Sequence, residues 1–255
     1  MRLVLAPLAA LIVLGAAACG EDEANSADPS SLEGTPWVLA SGVDVEGWEG
    51  VAPSATFADG QVTGSTGCNR FGASYTLDGD TLELGEMAMT SMACPPPADA
   101  VEREYTAALE SVGGWRTEGD ELVLLDGDEN EVLRYRPASP VGSWLATSFL
   151  QRNAVSSPLP GTEITATFAE DGTLSGSAGC NTYRTTYTTD KGKIEIDPPA
   201  STKKACAEPE GIMEQETDFL TALPTASRFE VAGPTLDLLI SEGTFVATFT
   251  PAPTP

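Results

Sequence analysis

Two cysteines in matching surroundings are the residues of this chain best suited to chemistry. Cys68 lies in Gly67-Cys68-Asn69 and Cys180 in Gly179-Cys180-Asn181. A thiolate can serve as nucleophile, redox partner or metal ligand, and a neighbouring amide can line a cleft. Asn69 and Asn181 are therefore candidate binding residues. Each cysteine is followed twenty-six residues later by a second, Cys94 and Cys206. The chain has no histidine, which removes Ser-His-Asp and Cys-His catalysis, histidine metal sites and histidine pH switches together. It has no C-x-x-C either. Two intradomain disulfides, Cys68 to Cys94 and Cys180 to Cys206, are then the simplest reading, with a redox or metal-binding thiol pair as the alternative. Identical spacing in both copies favours these pairings over the crossed ones, provided the chain is exported to an oxidising compartment. On that reading Gly and Asn supply the positive φ of a turn beside each bridge.

The motif belongs to a duplication. Val62-Thr63-Gly64-Ser65 before the first copy echoes Leu174-Ser175-Gly176-Ser177 before the second. Trp37 matches Trp144, Phe57 matches Phe168, Asp59-Gly60 matches Asp171-Gly172, and Tyr75 matches Tyr187. After a two-residue shift, Glu102, Tyr105 and Leu109 match Glu216, Phe219 and Leu223. In each copy, short alternating segments bounded by Asp-Gly read as hairpins. Val101, Tyr105, Ala108, Leu109 and Val112 lie on one face of a helix over about 99–112, which Gly113-Gly114 stops. The expected fold class is α+β: two tandem β-rich domains, each an antiparallel sheet or partial barrel with one helix. Their boundaries are 34–137 and 141–251.

The N-terminus carries a different signal. Residues 1–18 have Arg2, an apolar run and small residues ending at Cys19, the pattern of a lipoprotein signal peptide. The run is too short to be a stable membrane span. Cys19 is the expected lipidation site, although Ala16 stands where leucine is usual. Residues 19–33 are acidic, small and polar, and read as a flexible tether. Thirteen Lys and Arg oppose 38 Asp and Glu, for a formal net charge of −25. Such a surface repels phosphates, so nucleic acid is not an expected partner.

Gly-Cys-Asn after a hairpin, Thr-x-x-Ala-Cys at residues 90–94 and 202–206, and an acidic-aromatic helix ending in leucine together resemble the META/HslJ-like domain. The resemblance covers both repeats. It implies a small β-rich domain with one helix, common in bacterial envelope lipoproteins and linked to heat shock and antibiotic tolerance. It brings no catalytic residues to carry over. The chain departs from the repeat where Pro95-Pro96-Pro97 stands in place of Ala207-Glu208-Pro209-Glu210, and its first helix is expected to be two residues shorter.

These readings imply a non-enzymatic cell-envelope protein, held by lipid on the extracytoplasmic side of the membrane. It would act by binding an envelope protein or small ligand, without cofactor or metal. The alternative is a carboxylate-dependent hydrolase of cell-wall or extracellular glycans. Asp126, Asp128 and Asn130 resemble the start of a calcium loop, but Glu131 stands where glycine is needed, so a hairpin turn is expected. Trp37, Trp115, Trp144 and Phe229 are expected in the core and Trp48 on an exposed loop.

Overall fold

The computed structural model describes residues 29–152, 154–241 and 243–253, which leaves the signal segment and Cys19 outside the described residues. The first repeat begins with a helical turn, α1 (Pro29–Leu32), and strands β1 (Pro36–Ser41), β2 (Ser54–Ala58) and β3 (Gln61–Ser65). It continues with β4 (Arg70–Asp78), β5 (Thr81–Leu84), the two-residue β6 (Ala88–Met89) and α2 (Ala98–Glu110). Strands β7 (Val112–Glu118), β8 (Glu121–Asp126) and β9 (Glu131–Pro137) complete it.

The second repeat follows the same order. Its strands are β10 (Gly142–Gln151), β11 (Ala154–Ser156), β12 (Thr165–Phe168), β13 (Thr173–Ser177), β14 (Thr182–Asp190), β15 (Lys193–Ile196) and β16 (Ala200–Ser201). Then come α3 (Ile212–Ala222), β17 (Arg228–Ala232), β18 (Thr235–Leu239) and β19 (Phe245–Pro251).

Each repeat is a closed antiparallel barrel, not an open sheet. The first runs β3-β2-β1-β9-β8-β7-β5-β4 and closes where β3 pairs with β4; the second runs β10-β12-β13-β14-β15-β17-β18-β19 and closes between β10 and β19. Closure removes the unpaired edges that invite aggregation. Alternation in the sequence sets which side chains point inward: Phe71, Ala73 and Tyr75 on β4 are buried, as are Tyr183, Thr185 and Tyr187 on β14. The Asp59-Gly60 hairpin has both residues at positive φ, 51° and 72°, as a two-residue turn between twisted strands requires.

One helix fills each core. Val101, Tyr105 and Leu109 are fully buried on α2. Tyr105 meets Phe71 and Tyr135 edge to face, and its hydroxyl lies 2.9 Å from that of Tyr135. Phe219 on α3 meets Phe149 and Tyr183 in the same manner. Trp37, Trp115, Trp144 and Phe229 are buried as expected. Trp48 is only half-buried, because its ring packs against the first core.

Several expectations need correction. The tether ends sooner than residue 33, because Leu32 is fully buried in the first core and its carbonyl accepts from Trp37 Nε1 at 3.0 Å. Glu33 accepts a hydrogen bond from Tyr75. Gly113 and Gly114 belong to β7 instead of ending the helix. A Cβ on Gly114 would stand 3.2 Å from the Asp80 carbonyl, so close strand packing explains the pair. The helix of the first repeat's core, α2, is also longer than α3, 13 residues against 11. The extra residues of the second repeat lie ahead of α3, where Gly211 turns the chain at φ 88°.

Candidate functional site: a groove between the domains

Both Gly-Cys-Asn motifs serve the fold. The disulfides are formed between Cys68 and Cys94 and between Cys180 and Cys206, with Cα separations of 6.0 and 6.1 Å. Gly67 and Gly179 take positive φ, 92° and 107°, but Asn69 and Asn181 do not. The asparagines are instead buried hubs, each 1% exposed. Asn181 Oδ1 accepts from Thr202 Oγ1 at 2.7 Å and the Lys204 amide at 2.8 Å. Its Nδ2 donates to Glu216 Oε1 at 2.9 Å and the Lys204 carbonyl at 3.1 Å. Asn69 makes the matching set with Thr90, Met92 and Glu102.

This clasp ties the residue before β4 or β14, the loop of the second cysteine and the helix together in each domain. One difference between the copies is compensated. Thr66 donates to Glu102 and accepts from the Asn69 amide at 2.9 Å. Ala178 occupies that place in the second repeat, and the Asn181 amide donates straight to Glu216 Oε2 at 2.8 Å. Cys68, Cys94 and Glu102 lie within metal-ligand distance of one another, but both sulfurs are in the disulfide and the carboxylate is in the clasp. Asp126 forms the hairpin turn expected of it: its Oδ1 accepts from the amides of Asp128 and Asn130, both at 2.9 Å. Those bonds, led by the Asn130 side chain, hold its carboxyl below the usual aspartate range.

A recess that involves both repeats lies at their junction. The Gly233 amide donates to the Ala52 carbonyl at 3.1 Å, and Gly192 sits so close to Pro36 that a Cβ would stand 2.5 Å from its Cγ. Beside these contacts a groove of about 740 Å³ opens. Val38, Glu49 and Arg136 line it from the first domain, and Val141, Trp144, Glu170, Val231 and Pro251 from the second. Val141 is 41% exposed there, a large apolar side chain left facing solvent. Among the described residues neither Glu49 nor Glu170 has a hydrogen-bond or ion-pair partner, and both are exposed. The groove was not legible in the sequence, since its walls meet only where the two domains come together.

The META domain family model matches residues 30–139 and again 141–253. The chain belongs to the META domain family. An NMR structure of a protein from Burkholderia xenovorans is 20% identical and aligns with a TM-score of 0.36 over 54% of this chain and 99% of its own. A crystal structure of a DUF4847 family protein from Bacteroides vulgatus is 18% identical, with a TM-score of 0.33 over 45% of this chain and 94% of its own. No curated protein matches the chain.

The two META domains differ on the outer face of their last three strands. In the first, register places Val123 between Arg116 and Arg134. Arg134 reaches Glu118, Glu121 and Glu131 at 2.9, 2.8 and 2.7 Å, and Val123 is fully buried. In the second, the same row reads Glu230, Asp237 and Thr248. Asp237 is 9% exposed and its Oδ1 has no hydrogen-bond partner among the described residues. Burial pushes its carboxyl up; the Thr248 hydroxyl opposes this, Glu230 adds to it, and Arg70 of the first domain opposes it.

Because the folded-state value is raised, protonated Asp237 contributes stability that is fully present below the ordinary aspartate range. That contribution is lost as pH rises through the raised value. Asp237→Asn should therefore be the more stable protein at neutral pH, by about 1 kcal/mol, the scale of one unsatisfied buried polar group. The gap should close near pH 4, where the unfolded carboxyl also takes up its proton. Urea unfolding at several pH values reads this directly, and a gap that ignores pH would contradict it.

Proposed function

We propose that this META protein is a non-enzymatic, lipid-anchored protein of the bacterial envelope that acts by binding, with the groove between its domains as the binding site. The observation that carries the reading is the groove itself. It exists only because two META domains are joined in tandem, and it leaves Val141 exposed beside Trp144 and Arg136. Concave sites with an apolar lining and a few polar groups are the usual form of a ligand site. The signal pattern ending at Cys19 supports the anchor, with the ligand an envelope protein or small molecule met outside the membrane. A role in envelope stress or antibiotic tolerance would fit the family link.

Glu49 and Glu170 give the hydrolase alternative its only footing in the groove. A general acid and a nucleophile need different, fixed environments, and nothing orients either group here. The full chain and its Glu49→Gln, Glu170→Gln variant, each incubated with peptidoglycan and soluble glycans, should both release no product. Product from the wild type that disappears in the variant would turn the groove into a hydrolytic site.

A further inference from the structure

Three of the chain's five methionines fall within six residues, in Met87-Ala88-Met89-Thr90-Ser91-Met92. Met89 is 44% exposed and Met92 61%, the largest exposure among the large hydrophobic side chains described. Burial does not explain them, and the matching positions of the second repeat are Pro199, Ser201 and Lys204. The backbone around them is firmly held. Met89 pairs with Phe71, and the Thr90 amide donates to the Arg70 carbonyl at 3.0 Å. The Met92 amide donates to Asn69 Oδ1 at 2.8 Å, and its carbonyl accepts from Asn69 Nδ2 at 3.3 Å. Met89 thus sits opposite position 71 of β4, and the Met92 main chain is held by the side chain of Asn69, the residue just before that strand. Met87 is two residues before Met89, half-buried against the barrel core.

We propose that Met87, Met89 and Met92 form a surface site for a soft monovalent metal ion, copper(I) or its analogue silver(I). Thioether sulfur is a soft, neutral donor that prefers copper(I) over zinc, calcium or magnesium. The rest of the chain leaves few rivals. There is no histidine, and the four described cysteines are closed in disulfides. In a compartment that oxidises thiols, thioethers are the soft donors that remain open to a metal.

The test is an anaerobic titration of the full chain, carrying Cys19→Ser, with copper(I) against the chromogenic chelator bicinchoninate. Ascorbate serves as reductant, and mass spectrometry confirms that both disulfides stay closed. One equivalent of copper(I) should leave the chelator. Replacing all three methionines by leucine, a swap of similar volume, should weaken binding by at least about tenfold. Met92→Leu alone, at a 61% exposed position that cannot disturb the core, should also weaken it. Silver(I) should shift the methyl resonances of these methionines, while zinc(II) titrations should be the same for wild type and variant. Copper(I) left wholly on the chelator, or leucine variants that compete as well as the wild type, would overturn the site.

Discussion

Asn181→Ala should destabilise the second domain by roughly 3–5 kcal/mol, the range for removing one partner of a buried charged contact. The side chain is 1% exposed, and its loss strips the Lys204 amide, the Thr202 hydroxyl and Glu216 Oε1 of their partner at once. Asn181→Asp should do more damage at neutral pH, because it sets a second carboxylate against Glu216. That repulsion raises the folded-state carboxyl values, so the stability lost at neutral pH returns as pH falls through them. Trp144 is the one tryptophan of the second domain, and the other three lie in the first. Denaturant unfolding followed by fluorescence, with Trp144→Phe as the assignment control, separates the two transitions. Only the second should move, and a shift worth less than about 1 kcal/mol would show that the clasp is incidental.

The second large effect is loss of a disulfide. Cys180→Ala with Cys206→Ala opens a twenty-six-residue loop and should cost roughly 3–4 kcal/mol in the chain-entropy model. The clasp makes the effect local, since Asn181 holds the Lys204 main chain from the other side. The same loss should appear when the wild type is reduced with dithiothreitol, and reductant should then move the second transition of the variant no further. A variant as stable as the oxidised wild type would show that the hydrogen bonds alone define the loop.

The strands were legible wherever one face is buried, as in Ala73-Ser74-Tyr75-Thr76-Leu77, where alternation marks the inward positions. The duplication made the cysteine pairing legible as well. Barrel closure was not, because the pairings of β3 with β4 and β10 with β19 depend on strand twist and register that no local pattern carries. Gly113-Gly114 misled because glycine ends a helix and permits close strand packing equally well. The role of Asn69 and Asn181 was hidden for a similar reason, since asparagine is also at home in a left-handed turn. A signal was present: Thr90, Glu102 and their partners Thr202 and Glu216 recur in both copies, and these are the residues each asparagine holds. The groove left no trace, because Glu49 and Glu170 lie outside any shared pattern.

The Gly-Cys-Asn motif builds each barrel, and the proposed binding site is the seam between the barrels. Photo-crosslinking in intact cells tests it most directly, with a photoreactive residue at Val141 in the groove or at Val155, which is 59% exposed outside it. A discrete adduct from position 141 and none from 155 is the expected result. Adducts from 155 with none from 141, or the same adducts from both, would contradict the claim.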